Sequence, residues 1–320
     1  MFDLRANSQA EHYLPSNKSG YVMRLVSFKK LGGTRIGILA EDGESVIDLS
    51  IAAPDMPQDM NNFIDLGLEG QEQAAASLNS AGDNAKANIG DLQLLAPIPV
   101  PRRNVFCVGR NYHEHAQEFH DSGFDATSGA SAIPNDPIIF TKATTSVSGP
   151  MDPIPSYLDK TNTTDYEGEL AVIIGKEGRG ISKADAFDYV YGYTVSNDVT
   201  ARTSQHKHKQ WFIGKSLDGY CPMGPMIVTT EEAGHPDTFH LTTTVNGETR
   251  QDSSVADLIF DIPTLIECIS EGITLKPGDI IATGTPVGVG IGFEPPVFLQ
   301  KNDIVKVTIT PIGTIRNVVE

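Results

Sequence analysis

Cysteine is scarce in this chain of 320 residues: three, at Cys107, Cys221 and Cys268, far apart. An odd, sparse set excludes a disulfide framework or a zinc ribbon and fits reduced, buried thiols in a cytosolic protein. Long hydrophobic runs are missing too. No stretch approaches the ~20 consecutive apolar residues of a membrane-spanning helix, so no membrane association is expected. Basic residues are in deficit, with 24 Lys and Arg against 41 Asp and Glu and a formal net charge of −17. Phosphate backbones are bound by clusters of Lys and Arg, so nucleic acid is not an expected partner. An acidic substrate would need positive charge local to its site, from a metal or from buried Lys and Arg. Residues 1–22 lack the apolar core of a signal peptide. They are polar and rich in Asn and Ser, and are expected to form a loosely held tail of a cytoplasmic protein.

What is present is a series of short β-prone runs. Arg24–Phe28, Arg35–Leu39 and Ser45–Leu49 are separated by Gly32-Gly33 and Asp42-Gly43, the pattern of an antiparallel meander. Residues 58–82 carry apolar residues at roughly helical spacing. Residues 94–103, LLAPIPVPRR, have prolines at alternating positions and read as a stiff linker between domains. Beyond it, strands are expected at Val105–Val108, Pro137–Thr141, Glu169–Ile174, Tyr191–Val195, Met226–Thr229, His240–Val245, Ile280–Thr283 and Ile304–Ile309. Helices are expected around 112–119, around 183–188 with Ser182 as cap, and around 262–271. No regular strand–helix alternation runs along the chain, which disfavours a doubly wound sheet. The expected class is a β-rich α+β fold. Asp121–Asn135, rich in Gly, Ser and Ala, is a loop long enough to be a lid.

Five segments carry candidate chemistry. In Asp165-Tyr166-Glu167-Gly168-Glu169-Leu170, residues two apart on a strand share a face, so Glu167 and Glu169 project together. Paired carboxylates repel unless a cation or a shared proton relieves them, and a hard oxygen site suits Mg²⁺, Mn²⁺ or Ca²⁺. A solvated edge strand of alternating charge is the plainer reading of Glu-x-Glu alone. Asp198, at the end of the next strand and followed by Arg202 and Gln205, is a third carboxylate or a helix N-cap. His115 and Glu118 stand at i and i+3 of a helix, the spacing of an oriented general base or of a surface ion pair. His113-x-His115 as zinc ligands lacks the Cys or His partners that zinc needs. Gly214-Lys215-Ser216 lacks the first glycine of a phosphate-binding loop, leaving Lys215 as a half-buried cation or a surface lysine. Lys276–Gly290 reads as a turn, a buried strand and a Gly/Thr-rich loop able to offer backbone N–H groups and the Thr285 hydroxyl to an anion.

In this order the segments resemble the fumarylacetoacetate hydrolase family. The resemblance is carried by NVFCVGRNYHEHAQE, PIIFTKATTSVSGP, DYEGELAVIIGK, YGYTVSNDVTARTSQ, WFIGKSLDGYCPMGPMIV, VNGETRQDSSVADLIFDIPTLIECIS and LKPGDIIATGTPVGVG, across most of residues 100–290. It implies a mixed β-sandwich roll, usually a homodimer, with a catalytic domain at 99–320 behind a small N-terminal α+β domain at 23–98. It implies one Mg²⁺ or Mn²⁺ on Glu167, Glu169 and Asp198, and a His115–Glu118 dyad on a lid helix. Substrate contacts are implied at Arg202, Gln205, Lys215 and Thr285. The expected activity is metal-dependent hydrolysis of a C–C bond in acylpyruvate-type 2,4-dioxo acids. The alternatives are an oxaloacetate-type decarboxylase or a 2-hydroxymuconate-type isomerase on the same site. A metal-binding scaffold without catalysis would need the triad but not the dyad. The stretch from Phe119 to Pro134 is longer than in compact members, which bears on pocket size.

Overall fold

The computed structural model of the protein describes residues 20–30, 32–124 and 131–320. Nearly all of the expected tail, and residues 125–130 of the expected lid loop, lie outside the described residues.

The fold is a strand-rich α+β architecture built on one large mixed sheet. From edge to edge its strands are Lys86–Asn88, Ser45–Asp48, Gly33–Leu39, Arg24–Lys30, Cys221–Thr229, Val190–Asn197, Gly168–Ile174, Ile280–Ala282, Val105–Gly109 and Ile138–Lys142. A second sheet orders Glu248–Ser254, His240–Val245, Ile304–Thr310 and Gly313–Val318. Gly168–Ile174 is buried along its whole length. Its unbroken apolar run therefore belongs to a strand covered on both faces. Leu170, Val172 and Ile174 pack towards Leu241, Val305, Val307 and Ile309 of the second sheet. Ala171 and Ile173 face Phe63 and Ile64 of the N-terminal helices. The neighbouring strand slips by one residue between the pairs Ile173↔Gly192 and Ile174↔Val190. That bulge turns Tyr191 to the helix-covered face while Tyr193 stays on the other, against the period of two.

Several local expectations change. The helix expected over 58–82 is two, Met60–Asp65 and Gly67–Ser80, because the chain bends at Gly67 with φ of 56°. Around Ser182 a 3₁₀ stretch, Lys183–Tyr189, replaces the expected α-helix. Ser182 does not cap that stretch's backbone; its hydroxyl donates to Asp185 instead. Helix Ile262–Ser270 is capped by Asp261, which accepts from the Thr264 N–H. Two unexpected strands, Glu248–Ser254 and Gly313–Val318, complete the second sheet. The first follows Asn246-Gly247, both at positive φ as a tight hairpin turn requires.

The proline-bearing stretch at 94–103 is not a spacer held away from its surroundings. Ala96 and Ile98 are buried, and the Ser27 hydroxyl donates to the Pro97 carbonyl. Arg103 forms an ion pair with Asp279. Strand Arg24–Lys30 pairs with Cys221–Thr229 through Arg24↔Val228 and Leu25↔Ile227. The N-terminal meander thus extends the same sheet that carries the acidic residues. Leu25→Ala is expected to cost about 2–5 kcal/mol. Urea unfolding followed by far-UV circular dichroism and by Trp211 fluorescence should give coincident transitions; an earlier, separate transition would mean that residues 23–98 unfold alone.

Candidate active site

The acidic triad is a product of strand register. Gly168 pairs with Asn197 and Glu169 with Ser196. One step further the Asp198 N–H donates to the Glu167 carbonyl at 2.8 Å, which sets Asp198 opposite Glu167. Ligand oxygens of Glu167, Glu169 and Asp198 all lie within 4.8 Å of one another, and all three residues are buried. Among the described residues this is the one such group of His, Cys, Asp and Glu. His113 is exposed while His115 is buried, so the two do not converge on a metal.

Three buried cations surround the triad. Lys215 Nζ donates to Glu167 Oε2 at 2.7 Å and to Asp198 Oδ2 at 2.8 Å. Lys142 Nζ donates to Asp198 Oδ1 at 2.6 Å and to the Val199 carbonyl at 3.0 Å. Arg202 Nη1 meets Glu167 Oε1 at 2.6 Å. Burial alone would raise the Glu167 pKa, but Lys215 and Arg202 hold it down at about 2. Burial also acts to depress Lys215, and Asp198 and Glu167 reverse it, raising its pKa. Glu169 differs. Its hydrogen bond is from the Gly284 N–H, at 3.1 Å, and burial together with Asp198 and Glu167 drives its pKa well above the carboxylate range.

A fourth carboxylate, Asp165, is fully buried behind Arg202. It accepts from Arg202 Nε at 2.9 Å, the Gly290 N–H at 2.7 Å and the Ile291 N–H at 3.1 Å. Burial raises its pKa, and Arg202 and the Gly290 N–H oppose that rise. The glycine-rich loop does offer its N–H groups to anions, but to the protein's own carboxylates. Gly284 serves Glu169, Gly288 serves Glu118, and Gly290 and Ile291 serve Asp165.

Helix His113–Asp121 brings the dyad. His115, Ala116 and Phe119 form its buried face. His115 Nδ1 lies 2.9 Å from Glu118 Oε2, and Glu118 Oε1 accepts from the Gly288 N–H at 3.0 Å. A cleft with about 270 Å³ of empty space is lined by His115, Glu167, Glu169, Arg202, Gln205, Lys215 and Thr285. Trp211, set edge-on to Phe119 and Phe140, makes one wall. The Gln251 amide donates to Thr285 Oγ1 at 2.7 Å, leaving the threonine's own proton to donate elsewhere. Arg202 Nη2 is buried with no hydrogen-bond partner among the described residues.

All nine residues singled out from the sequence thus gather at one place. Lys142, Asp165 and Gln251 were in segments already quoted but had no role there. Lys142 had a signal: on strand Ile138–Lys142 it shares a face with Phe140, which lines the cleft. Asp165 had none, because its partners lie 37 and about 125 residues away.

The all-oxygen triad fits a hard divalent cation. Four carboxylates, Asp165, Glu167, Glu169 and Asp198, face three cations, Lys142, Lys215 and Arg202. The excess negative charge falls at Glu169, the one carboxylate without a cationic partner, where a metal would replace a proton.

The profile of the fumarylacetoacetate (FAA) hydrolase C-terminal family matches residues 104–320. The chain belongs to the fumarylacetoacetate hydrolase family. One relative of this fumarylacetoacetate hydrolase family chain, the oxaloacetate tautomerase YisK of Bacillus subtilis (strain 168), is 45% identical over 294 residues, 88% of this chain and 95% of the relative. Among solved structures, the fumarylacetoacetate hydrolase of psychrophilic Exiguobacterium antarcticum is 41% identical, with a TM-score of 0.77 over 93% of this chain and 99% of that one. The maleylpyruvate hydrolase of Sphingobium sp. SYK-6, solved with manganese(II) and pyruvate, is 30% identical, with a TM-score of 0.72 over 93% and 98% of the two chains. The family includes hydrolases, isomerases and a tautomerase.

Glu169→Gln should lower Mg²⁺ or Mn²⁺ affinity by more than about 10-fold, measured by calorimetric titration. The melting temperature of the metal-free protein should hold or rise, since a repelled buried carboxylate is removed. Because a metal displaces the Glu169 proton, wild-type affinity should increase with pH and titration heats should depend on the buffer's ionisation enthalpy. Buffer-independent heats and a flat pH profile would contradict the charge assignment.

Proposed function

We propose that this chain performs enolate chemistry on a small 2-oxo diacid of the oxaloacetate type, interconverting its keto and enol forms. The observation that carries this reading is Arg202 Nη2, a buried donor without a partner beside the acidic triad. A guanidinium so placed suits a substrate carboxylate. With a divalent ion in place of the Glu169 proton, the site carries one excess positive charge, which favours an anionic substrate. The 45% identity to an oxaloacetate tautomerase supports the same reading.

A divalent cation on Glu167, Glu169 and Asp198 would supply Lewis-acid polarisation of the 2-oxo group. The chain's own residues do the rest. Arg202 and the Thr285 hydroxyl orient the carboxylate. Glu118 holds His115 by Nδ1, which leaves Nε2 to exchange protons with the substrate. In the keto-to-enol direction His115 Nε2 takes the proton from the carbon next to the carbonyl. The C–H pair becomes the C=C bond, the carbonyl π pair moves to oxygen, that oxygen takes a proton from water, and His115 gives its own back to water. The reverse path returns the proton to carbon.

The dyad favours a second reading, hydrolysis of acylpyruvate-type 2,4-dioxo acids. Glu118 is fixed at both oxygens, by His115 and by the Gly288 N–H, so the base is rigid enough to activate a water. There His115 Nε2 would take a proton from water, whose oxygen adds to the distal carbonyl; the C–C bond pair then leaves with the pyruvate fragment as its enolate, to which His115 returns the proton.

The two readings part on products. With Mg²⁺ or Mn²⁺, the protein should speed the loss of enol-oxaloacetate absorbance without releasing CO₂ or pyruvate. Pyruvate release from acetylpyruvate at a comparable kcat/KM would replace the first reading with the second. His115→Ala should leave metal affinity unchanged and lower kcat by about 10²–10⁴-fold; an unchanged kcat would assign the base elsewhere.

A further inference from the structure

Asp165 is a buried carboxylate that touches neither the cleft nor the triad, yet it meets the supports of both ends of the site. Its Oδ2 holds Arg202, through Nε at 2.9 Å. The glycine-rich loop is held by both oxygens: the Gly290 N–H donates to Oδ1, and the Ile291 N–H donates to Oδ2, which it shares with Arg202. Two residues earlier the same loop receives the lid helix, where the Gly288 N–H donates to Glu118 Oε1. Val289 and Ile291 pack against Phe119 of that helix. The Tyr166 hydroxyl donates to the Gly288 carbonyl at 2.8 Å and fixes the loop from below. The loop has no room to settle elsewhere. A Cβ on Gly290 would strike Asp165 and the Val297 carbonyl, and one on Gly292 would strike Glu118.

We propose that Asp165 is a positioning residue that couples Arg202, the reader of the substrate carboxylate, to the His115–Glu118 pair through the backbone of residues 288–291. An arginine held by Nε keeps its guanidinium fixed in the wall of the cleft, with Nη2 left unpaired. A loop held by the same carboxylate keeps its N–H groups where Glu118 needs them. Displacing either end of this strut loosens the other. The part of the proposal concerning Arg202 rests on the oxo-acid reading above; the part concerning the lid does not.

The experiment uses Mn²⁺-loaded full-length protein and the isosteric Asp165→Asn. Its amide would set an N–H against the Arg202 and Ile291 donors in one orientation and against the Gly290 N–H in the other. Hydrogen exchange of peptides covering 113–121 is read first, without any oxo acid. The expected result is faster exchange there by about tenfold, with the strand Gly168–Ile174 unchanged and Mn²⁺ affinity within about threefold of wild type. Unchanged exchange at 113–121 would overturn the proposal, because no ligand or reaction enters this readout. Binding of oxalate or pyruvate is read second, by the fluorescence of Trp211, the chain's one tryptophan, which lies against Phe119. Affinity should fall by about tenfold and the fluorescence response should shrink. If wild-type protein binds neither acid, the oxo-acid reading fails while the exchange result still decides the coupling. Arg202→Lys removes the Nε donor from the same contact and should likewise speed exchange at 113–121 if Asp165→Asn proves too unstable to measure. A purely structural role for Asp165 would lower the melting temperature and leave exchange at 113–121 and the Trp211 response as in wild type.

Discussion

Carboxylates taken out of water must be answered by charge or by hydrogen bonds, and the centre of this protein is organised around that demand. Asp165, Glu167, Glu169 and Asp198 are all buried, and an isolated charge in such a place is costly by several kcal/mol. Lys142, Lys215 and Arg202 answer three of them, and backbone N–H groups of the glycine loop answer what remains. Glu169 is left with a single N–H and two repelling neighbours. A metal-shaped deficit of charge follows from the way the strands pair.

The strands and the acidic triad were largely legible in the sequence because they depend on local periodicity. Glu167 and Glu169 are two apart on a strand, and His115 and Glu118 are three apart on a helix; both spacings fix a shared face within a few residues. Asp198 joins the triad only through its register opposite Glu167, which an ordered resemblance implied but a single segment could not. Lys142 and Asp165 stayed hidden because their roles are set by contacts across 37, 56 and 125 residues. The strand Glu248–Ser254 had a readable signal in Asn246-Gly247. The bend at Gly67 divided what periodicity presented as one helix.

The glycine loop shows how a composition cue can be right in chemistry and wrong in address. Its N–H groups do bind anions, as the Gly/Thr pattern suggests, but the anions are Glu169, Glu118 and Asp165. The triad, the dyad and Arg202 are thereby referred to one stretch of backbone. Side chains from separate parts of the chain are then held to a common geometry by shared backbone donors as well as by their own ion pairs.

Continuity of the large sheet has a further consequence, for modularity. The family profile begins at residue 104, and a cut there looks natural from sequence. Strand Arg24–Lys30 nevertheless supplies the neighbour of Cys221–Thr229, and the helices after it cover Ala171 and Ile173. Removing residues 23–98 would uncover the strand edge at Ile227 and Val228 beside an apolar face, the kind of edge that recruits other chains. Fragments and chimaeras divided at that point would fail by self-association before any question of chemistry arose, because the two portions are one fabric and share its selvedge.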